Sequence, residues 1–335
     1  MFLGIAQPVP QAHKYSMQTY GPYRTAPLGR EDLARLSSLR PGIPVRATLL
    51  HWVLILACFV LVSVAPAPWS VLLAIIVIGA NFYGLYIIGH DGLHRRLFDS
   101  VRANDLWNDV MIMGSFGAIT RLNRTNHMGH HQDTCLQSDP DRHKYLHQGK
   151  EAVVPFAAFL SGLANLVPSV RNVFFARGTK RSSQGYSARD IAILAGWQIV
   201  LIGGLSWAIG WWAYPVLWLL PVYAFGYRAD LTRVFCEHSV LLPDREADET
   251  LRLITYRSNW LERLFFAPHN MNFHAVHHLW PGIPYYNLPD ADQLVRARMG
   301  NDPRLVIRGS YVAYLLTYLR WRLRAGTTLA APGVT

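Results

Sequence analysis

Two long stretches of this chain carry no charged side chain. No Lys, Arg, Asp or Glu occurs from Ala47 to His90, nor from Ile191 to Tyr227. A helix needs about 20 apolar residues to cross the hydrocarbon core, so each stretch holds enough chain for two crossings. A turn signal falls near the middle of each: Ala65-Pro66-Ala67-Pro68 in the first and Gly210 in the second. The pattern predicts two helical hairpins, with spans near 48–65 and 70–89 and near 191–209 and 212–228. Trp69, Trp211 and Trp212 stand at the turns, as the aromatic belt of a bilayer boundary requires. Leu106–Ile119, Val153–Phe175 and residues 311–324 are shorter apolar segments beside basic clusters, and read as helices lying along the membrane face.

The basic residues set an orientation. Arg24, Arg30, Arg35, Arg40 and Arg46 precede the first hairpin, Arg95, Arg96 and Arg102 follow it, and Arg228 and Arg233 follow the second. The turns hold none. The positive-inside rule then places both termini and the segment between the hairpins in the cytoplasm, as in a multi-pass protein of a bacterial inner membrane. The expected organisation is a cytoplasmic segment 1–46, a first hairpin 47–90, a cytoplasmic cap 91–190, a second hairpin 191–228, and a second cap portion 229–335 ending in an interfacial helix. The opening MFLGIAQPVPQAHKY lacks a basic segment followed by a long apolar core, so no cleaved signal peptide is expected.

Composition agrees. A hydrophobic fraction of 51% with only 16% charged residues excludes a disordered chain, a coiled coil and a collagen-like chain. The net charge of +11 suits either nucleic acid or a membrane surface, and the charge-free stretches decide for the membrane. Only four of the 32 basic residues are lysine (Lys14, Lys144, Lys150, Lys180), a bias that suggests a GC-rich bacterial genome. Cys58, Cys135 and Cys236 are far apart and form no CxxC pair, which argues against a disulfide framework or a thiolate zinc site.

The candidate chemistry lies in the histidines. Eight of the 14 fall into three groups: His90 and His94 in HDGLH, His127, His130 and His131 in HMGHH, and His274, His277 and His278 in HAVHH. Spacings of three and four put the rings on one face of a helix. An HxxHH pattern arises by chance roughly 0.02 times in a chain of this composition. Imidazole is the commonest metal ligand, and eight or nine of them exceed the four that one zinc takes. They suit two metals, for which iron, zinc, copper and nickel all accept imidazole. Asp91 stands where a zinc protease would carry the glutamate of HExxH. Metal pairs beside membrane spans point to redox chemistry of two Fe ions on a lipid. His13, His51, His143, His147 and His269 read as ordinary hydrogen-bonded residues.

With its boxes HxxxH, HxxHH and HxxHH in that order around two hairpins, the sequence resembles the membrane fatty acid desaturase superfamily of integral-membrane diiron enzymes over roughly residues 45–295. The stretch HNMNFHAVHHLWPGIPYYNLP is similar to that of bacterial lipid desaturases. The resemblance implies an all-α integral membrane fold, four transmembrane helices under a cytoplasmic helical cap that holds the boxes. It implies a ninth metal ligand after the fourth span, for which His238 in RVFCEHSV is the candidate. Where many relatives carry an acidic residue in the third box, this chain has Val276. Asp91, Glu237 and Asn272 are the candidates for orienting the ligand rings.

An alkyl C–H bond has no acidic proton, so a cofactor must carry its cleavage. The resemblance implies O2-dependent hydrogen abstraction. Two abstractions give a double bond, whereas abstraction followed by hydroxyl transfer gives an alcohol. Desaturation of a lipid acyl chain is therefore expected, with a hydroxylase or ketolase of an alkane, carotenoid or sphingolipid as the neighbouring alternative. Neither a haem-binding HPGG segment nor a GxGxxG site is present, so a separate electron donor (ferredoxin, rubredoxin or cytochrome b5-like) is implied. A membrane metal transporter or sensor would place ligands near the midplane of its spans, and these spans carry little more than Asn81 and Gln198. Nucleic-acid binding explains the charge but not the hairpins or the boxes.

Overall fold

The computed structural model describes residues 27–134, 139–141, 144–145, 153–162, 185–239, 254–300 and 306–325. Cys135, His13, His143 and His147 lie outside them, as do residues 163–175 of the expected helix Val153–Phe175.

After a short helix α1 (Arg30–Leu36), the first charge-free stretch folds as two antiparallel helices, α2 (Gly42–Val64) and α3 (Pro68–Leu93). Both begin before the spans expected from the sequence, and α3 also ends after its own. The turn forms because Pro68 suits the first position of a helix. Ser70 then caps it, its hydroxyl accepting the Ala67 N–H at 3.1 Å and donating to the Ala65 carbonyl at 2.6 Å. The second stretch opens with α7 (Ala188–Ala208), introduced by Ser187, whose hydroxyl accepts the Asp190 N–H while the Asp190 carboxylate accepts the Ser187 N–H. Among the described residues three helices, α2, α3 and α7, are long and apolar enough to cross a membrane. Of these α3 is the inner one: it buries 56% of its apolar stretch, against 28% for α2 and 11% for α7.

The chain turns at Gly210, whose φ of +138° is open to glycine. It then runs helically from Ala213 into α8 (Arg228–His238), through two π-helical stretches, Pro215–Leu219 and Val222–Tyr227. One stretch begins at Pro215 and the other directly after Pro221. Proline has no N–H to donate to the preceding turn, and the hydrogen bonding slips to the wider register, as where the Leu220 N–H donates to the Pro215 carbonyl.

Close packing locks this run against α3. A Cβ at Gly79 would lie 2.2 Å from the Phe225 ring, and a Cβ at Gly226 would lie 2.5 Å from the Phe82 ring. Each helix thus supplies a glycine to receive the other's phenylalanine. Trp52 of α2 stacks on Trp197 of α7 at 5.0 Å and on Trp218 at 6.1 Å, joining three segments through one indole. At one end Ser63 donates to the Ala208 carbonyl at 3.0 Å, so the two turns lie together. Trp69, Trp207 and Trp211 are exposed there.

The remaining elements gather at the opposite end. They are α4 (Val101–Met111), α5 (Thr120–Asp133), α6 (Val153–Leu160), α9 (Trp260–Phe266), α10 (His274–Leu279), α11 (Leu288–Met299) and α12 (Tyr311–Ala325). Trp52 and Trp197 donate their indole N–H groups to the Met111 and Val110 carbonyls, both at 2.8 Å, which fixes α4 to the spans. Among the described residues the regular structure is helical except for two three-residue strands, β1 (Ile254–Tyr256) and β2 (Val306–Arg308), paired in parallel. The sequence reading had no place for them. A second core of Tyr256, Tyr311, Phe235, Phe156 and Tyr318 packs around this pair and supports the site from behind.

Candidate metal centre

Each histidine box is carried by a helix that ends or begins near the same point. His90 sits in the last turn of α3 and His94 caps it. His127, His130 and His131 lie in the second half of α5, His238 is the last residue of α8, and α10 opens with His274. Asn104 and Asn108 of α4 hold the α3 end, donating to the Gly92 carbonyl at 2.9 Å and the Gly89 carbonyl at 3.0 Å. Arg124 ties α5 to it, bonding the Leu93 and Gly92 carbonyls and the Asp105 carboxylate.

The rings converge into two groups whose nitrogens could each hold a metal ion. One comprises His90, His94, His127, His131 and His277; the other comprises His130, His238 and His278. Within the first, Nε2 of His127 lies 2.7 Å from that of His94 and 3.1 Å from that of His131, and His277 Nε2 lies 3.2 Å from His131 Nε2. His274 joins the second through its Nε2, 2.8 Å from His238 Nε2. The groups adjoin, for His131 and His278 stack at 4.2 Å between centroids. All eight box histidines and His238 therefore meet in one place, from positions 90 to 278 of the chain.

The electrostatics favour neutral rings. Burial, and then the neighbouring imidazoles, hold His94, His127, His274 and His278 well below the ordinary histidine range. Burial, followed by Arg233 and His130, takes His277 down to about 3. A neutral imidazole keeps a lone pair for a metal. His274 Nδ1 lies between Glu237 Oε2 at 3.3 Å and Arg233 Nη1 at 3.4 Å. In two other rings a neighbour fixes which nitrogen carries the hydrogen: His130 Nδ1 faces the Asp139 carboxylate at 2.9 and 3.0 Å, and His278 Nδ1 faces Thr134 Oγ1 at 3.3 Å. With hydrogen on Nδ1, each offers Nε2 to the centre, and His278 Nε2 is buried with no hydrogen-bond partner. This all-nitrogen, uncharged donor set fits borderline divalent metals such as iron.

Of the three residues expected to orient the rings, Glu237 touches one. It also accepts from Arg233 Nη1 at 2.7 Å and from the Tyr311 hydroxyl at 2.8 Å, so its position is fixed from three sides. Asp91 accepts the Tyr285 backbone N–H at 2.8 Å, and Asn272 donates to the Tyr256 carbonyl at 2.9 Å. Both tie down backbone beside the third box. Asp139 was not foreseen. It lies outside α5, nine residues beyond its ring, where no helical spacing marks it. Tyr145 donates to its carboxylate at 2.5 Å. His51 and His269 stay apart from both groups and face one another, Nε2 to Nε2 at 2.7 Å, with Asn81 on the far side of His51.

Comparison with known proteins agrees with the geometry. A family model described as fatty acid desaturase matches residues 66–309. The chain is 27% identical to the dihydrorhizobitoxine desaturase of Bradyrhizobium elkanii, over 81% of each chain. It is 24% identical to the sn-1 oleoyl-lipid 12-desaturase of Arthrospira platensis, over 77% of this chain and 78% of that one. With the sn-1 oleoyl-lipid 12-desaturase of Anabaena variabilis it shares 26% identity, over 71% and 73%.

Proposed function

The chain belongs to the fatty acid desaturase family and is an oxidoreductase, and from that premise we propose that it desaturates the acyl chain of a membrane lipid, using O2 and two iron ions. The observation that carries this reading is the meeting of nine histidines in two adjoining buried groups. His90, His94, His127, His131 and His277 would hold one ion, and His130, His238, His274 and His278 the other.

An iron pair, when bound, supplies the oxidising power that an alkyl C–H bond demands. The chain's own residues prepare the site for it. The neutral rings present lone pairs without a proton to displace. Asp139 and Thr134 keep the Nδ1 hydrogens on the outer side, so that His130 and His278 turn Nε2 inward. Burial of His130, His238, His274, His277 and His278 keeps solvent from these rings. The apolar helices α2, α3 and α7 would lie in the bilayer, with the apolar run 213–227 as the fourth span. Both termini and the box-bearing end would then face the cytoplasm, as the arginine distribution supports.

The relatives' printed names differ in substrate, dihydrorhizobitoxine in one and oleoyl lipids in others. A lipid substrate is supported for this chain by its long apolar helices, of which α3 ends at His90 and His94. The two electrons of each turnover would come from a separate carrier, a ferredoxin, rubredoxin or cytochrome b5-like protein.

Expression in a desaturase-deficient bacterium, followed by mass spectrometry of total lipids, tests the proposal. A lipid two hydrogens lighter, present with the wild type and missing with His131→Ala, is the expected result. Gain of an oxygen atom instead would make the chain a hydroxylase. Purified protein should contain about two irons, as nine imidazoles require; stoichiometric zinc from iron-rich cells would overturn the redox reading.

A further inference from the structure

His51 and His269 take no part in the metal centre, yet they join the cap to the apolar helices. Gly84 of α3 makes room for the His51 ring: a Cβ there would lie 2.5 Å from it. Asn81 donates its amide N–H to the Val77 carbonyl at 2.8 Å, which leaves its Oδ1 to accept from His51 Nδ1, also at 2.8 Å. His51 Nε2 is then the acceptor, and His269 Nε2 the donor, in their 2.7 Å contact. Polar side chains within a bilayer pair with one another, because hydrocarbon offers them no other partner. His269, however, belongs to none of the long apolar helices. It follows α9 (Trp260–Phe266), and the chain reverses there, with φ of +53° at His269 and +62° at Asn270.

The packing of α9 fixes how deep this segment goes. With 26 residues α3 is about 39 Å long, about 9 Å more than a hydrocarbon core of about 30 Å. Gly79 precedes Leu93 by 14 residues, about 21 Å, so it lies about 12 Å inside the core even with the whole excess on the cytoplasmic side. The Phe225 ring sits at Gly79, 2.2 Å from where a Cβ would be, and Phe265 of α9 packs on Phe225 at 5.7 Å between centroids. Phe265 is therefore below the boundary whichever way that step points. By the same measure Gly84, and with it the His51–His269 contact, is about 5 Å inside. The outer face of α9 is apolar: Trp260, Leu261 and Leu264 are 70%, 49% and 42% exposed and share one arc of the helix. Arg263 points away from that arc, into a polar cleft with Asp292 and Arg296, and Glu262 turns inward to the Ser310 hydroxyl and the Tyr311 N–H.

We propose that Trp260–Asn270 is a re-entrant segment: it enters the cytoplasmic leaflet beside α2, α3 and the fourth span, presents Trp260, Leu261 and Leu264 to lipid acyl chains, and is clasped to the spans by His51 and His269. The occupant of this face is lipid because α9, through Phe265, Phe225 and Gly79, continues the surface of the spans at the same depth. His274 comes four residues after Asn270, so the third box opens directly off a segment in contact with the bilayer. The inference rests on α3 crossing the membrane with its His90 end in the cytoplasm.

The test uses the full-length, iron-loaded chain in phospholipid vesicles, with Cys58, Cys135 and Cys236 replaced by alanine. A nitroxide is attached at Leu261→Cys or Leu264→Cys and, for reference, at Ile76→Cys of α3 or Asp290→Cys of α11, both exposed positions. Collision with O2, which concentrates in lipid, is compared with collision with a water-soluble nickel chelate. The labels at Leu261 and Leu264 should favour O2, as at Ile76, while the label at Asp290 favours nickel. Nickel preference at Leu261 and Leu264 with O2 preference at Ile76 overturns this proposal alone; nickel preference at Ile76 as well takes the membrane reading with it. Low collision with both reagents at Leu261 and Leu264 would mean that a protein partner or a second copy covers the face, and overturns the proposal too. His51→Ala and His269→Ala should each shift the Leu264 label toward nickel, and the two together no further than either alone; no shift in either removes the clasp. If the cysteine-free chain does not hold iron, lipid brominated in its acyl chains replaces the labels. It should quench the emission that Trp260→Phe removes, and equal quenching in both chains overturns the proposal.

Discussion

Asp139 reaches across from outside the histidine boxes to place both carboxylate oxygens on His130, at 2.9 and 3.0 Å from Nδ1. The carboxylate fixes the ring's hydrogen on the far side from the centre. Losing a partner of this kind typically weakens metal affinity about 10–100-fold. Asp139→Asn should therefore lower the affinity for cobalt(II), used as an iron surrogate, by that order. Tyr145→Phe, which removes only the hydroxyl bonded to Asp139, should do less. Competition with a chromophoric chelator measures both, and equal affinity in wild type and Asp139→Asn would refute the role.

Glu237 accepts from two donors, Arg233 Nη1 and the Tyr311 hydroxyl, and its Oε2 lies 3.3 Å from His274 Nδ1. In Glu237→Gln the amide oxygen can serve one of them, and the NH2 group meets another donor. An unsatisfied buried pair costs about 1–3 kcal/mol. The variant should unfold at a lower temperature in detergent, by differential scanning fluorimetry, and lose iron more readily to a chelator. Arg233 would still hold Asp230 at 3.0 Å, so the chain should fold.

Gly226→Ala should drive a methyl group into the Phe82 ring, where a Cβ would lie at 2.5 Å. Overpacking costs about 1–3 kcal/mol. Reduced thermal stability is expected, and pairing it with Phe82→Leu should restore part of the loss. A fully additive double variant would show that the two sites do not touch.

His277→Ala removes a ring whose Nε2 stands 3.2 Å from His131 Nε2. Iron content should fall and desaturated product should vanish, while membrane fractionation stays unchanged because α10 is outside the long apolar helices. Retained activity would exclude His277 as a ligand.

Helical spacing and the charge-free stretches made much of this legible. His127 and His131 are four apart on α5 and do share a group, and α2, α3 and α7 match three of the four expected spans, those near 48–65, 70–89 and 191–209. Two kinds of feature escaped. Pro215 and Pro221 gave no warning that the run toward His238 would slip into π-helical hydrogen bonding, because an apolar run reads alike in either register. Asp139 stands beyond the end of α5, where no helical spacing from His130 points to it. Likewise Asn272 sits close enough to the third box to suggest a tie to a ring, but the β1 backbone captures its amide.

Neighbouring residues on α5 and α10 are dealt alternately to the two groups: His127 and His131 to one and His130 to the other, His277 to one and His274 and His278 to the other. The two pockets thus share their walls. Seating an ion in either one sets the pitch of both helices and pre-shapes its twin, so uptake should be cooperative, with the singly loaded form scarce at half-saturation.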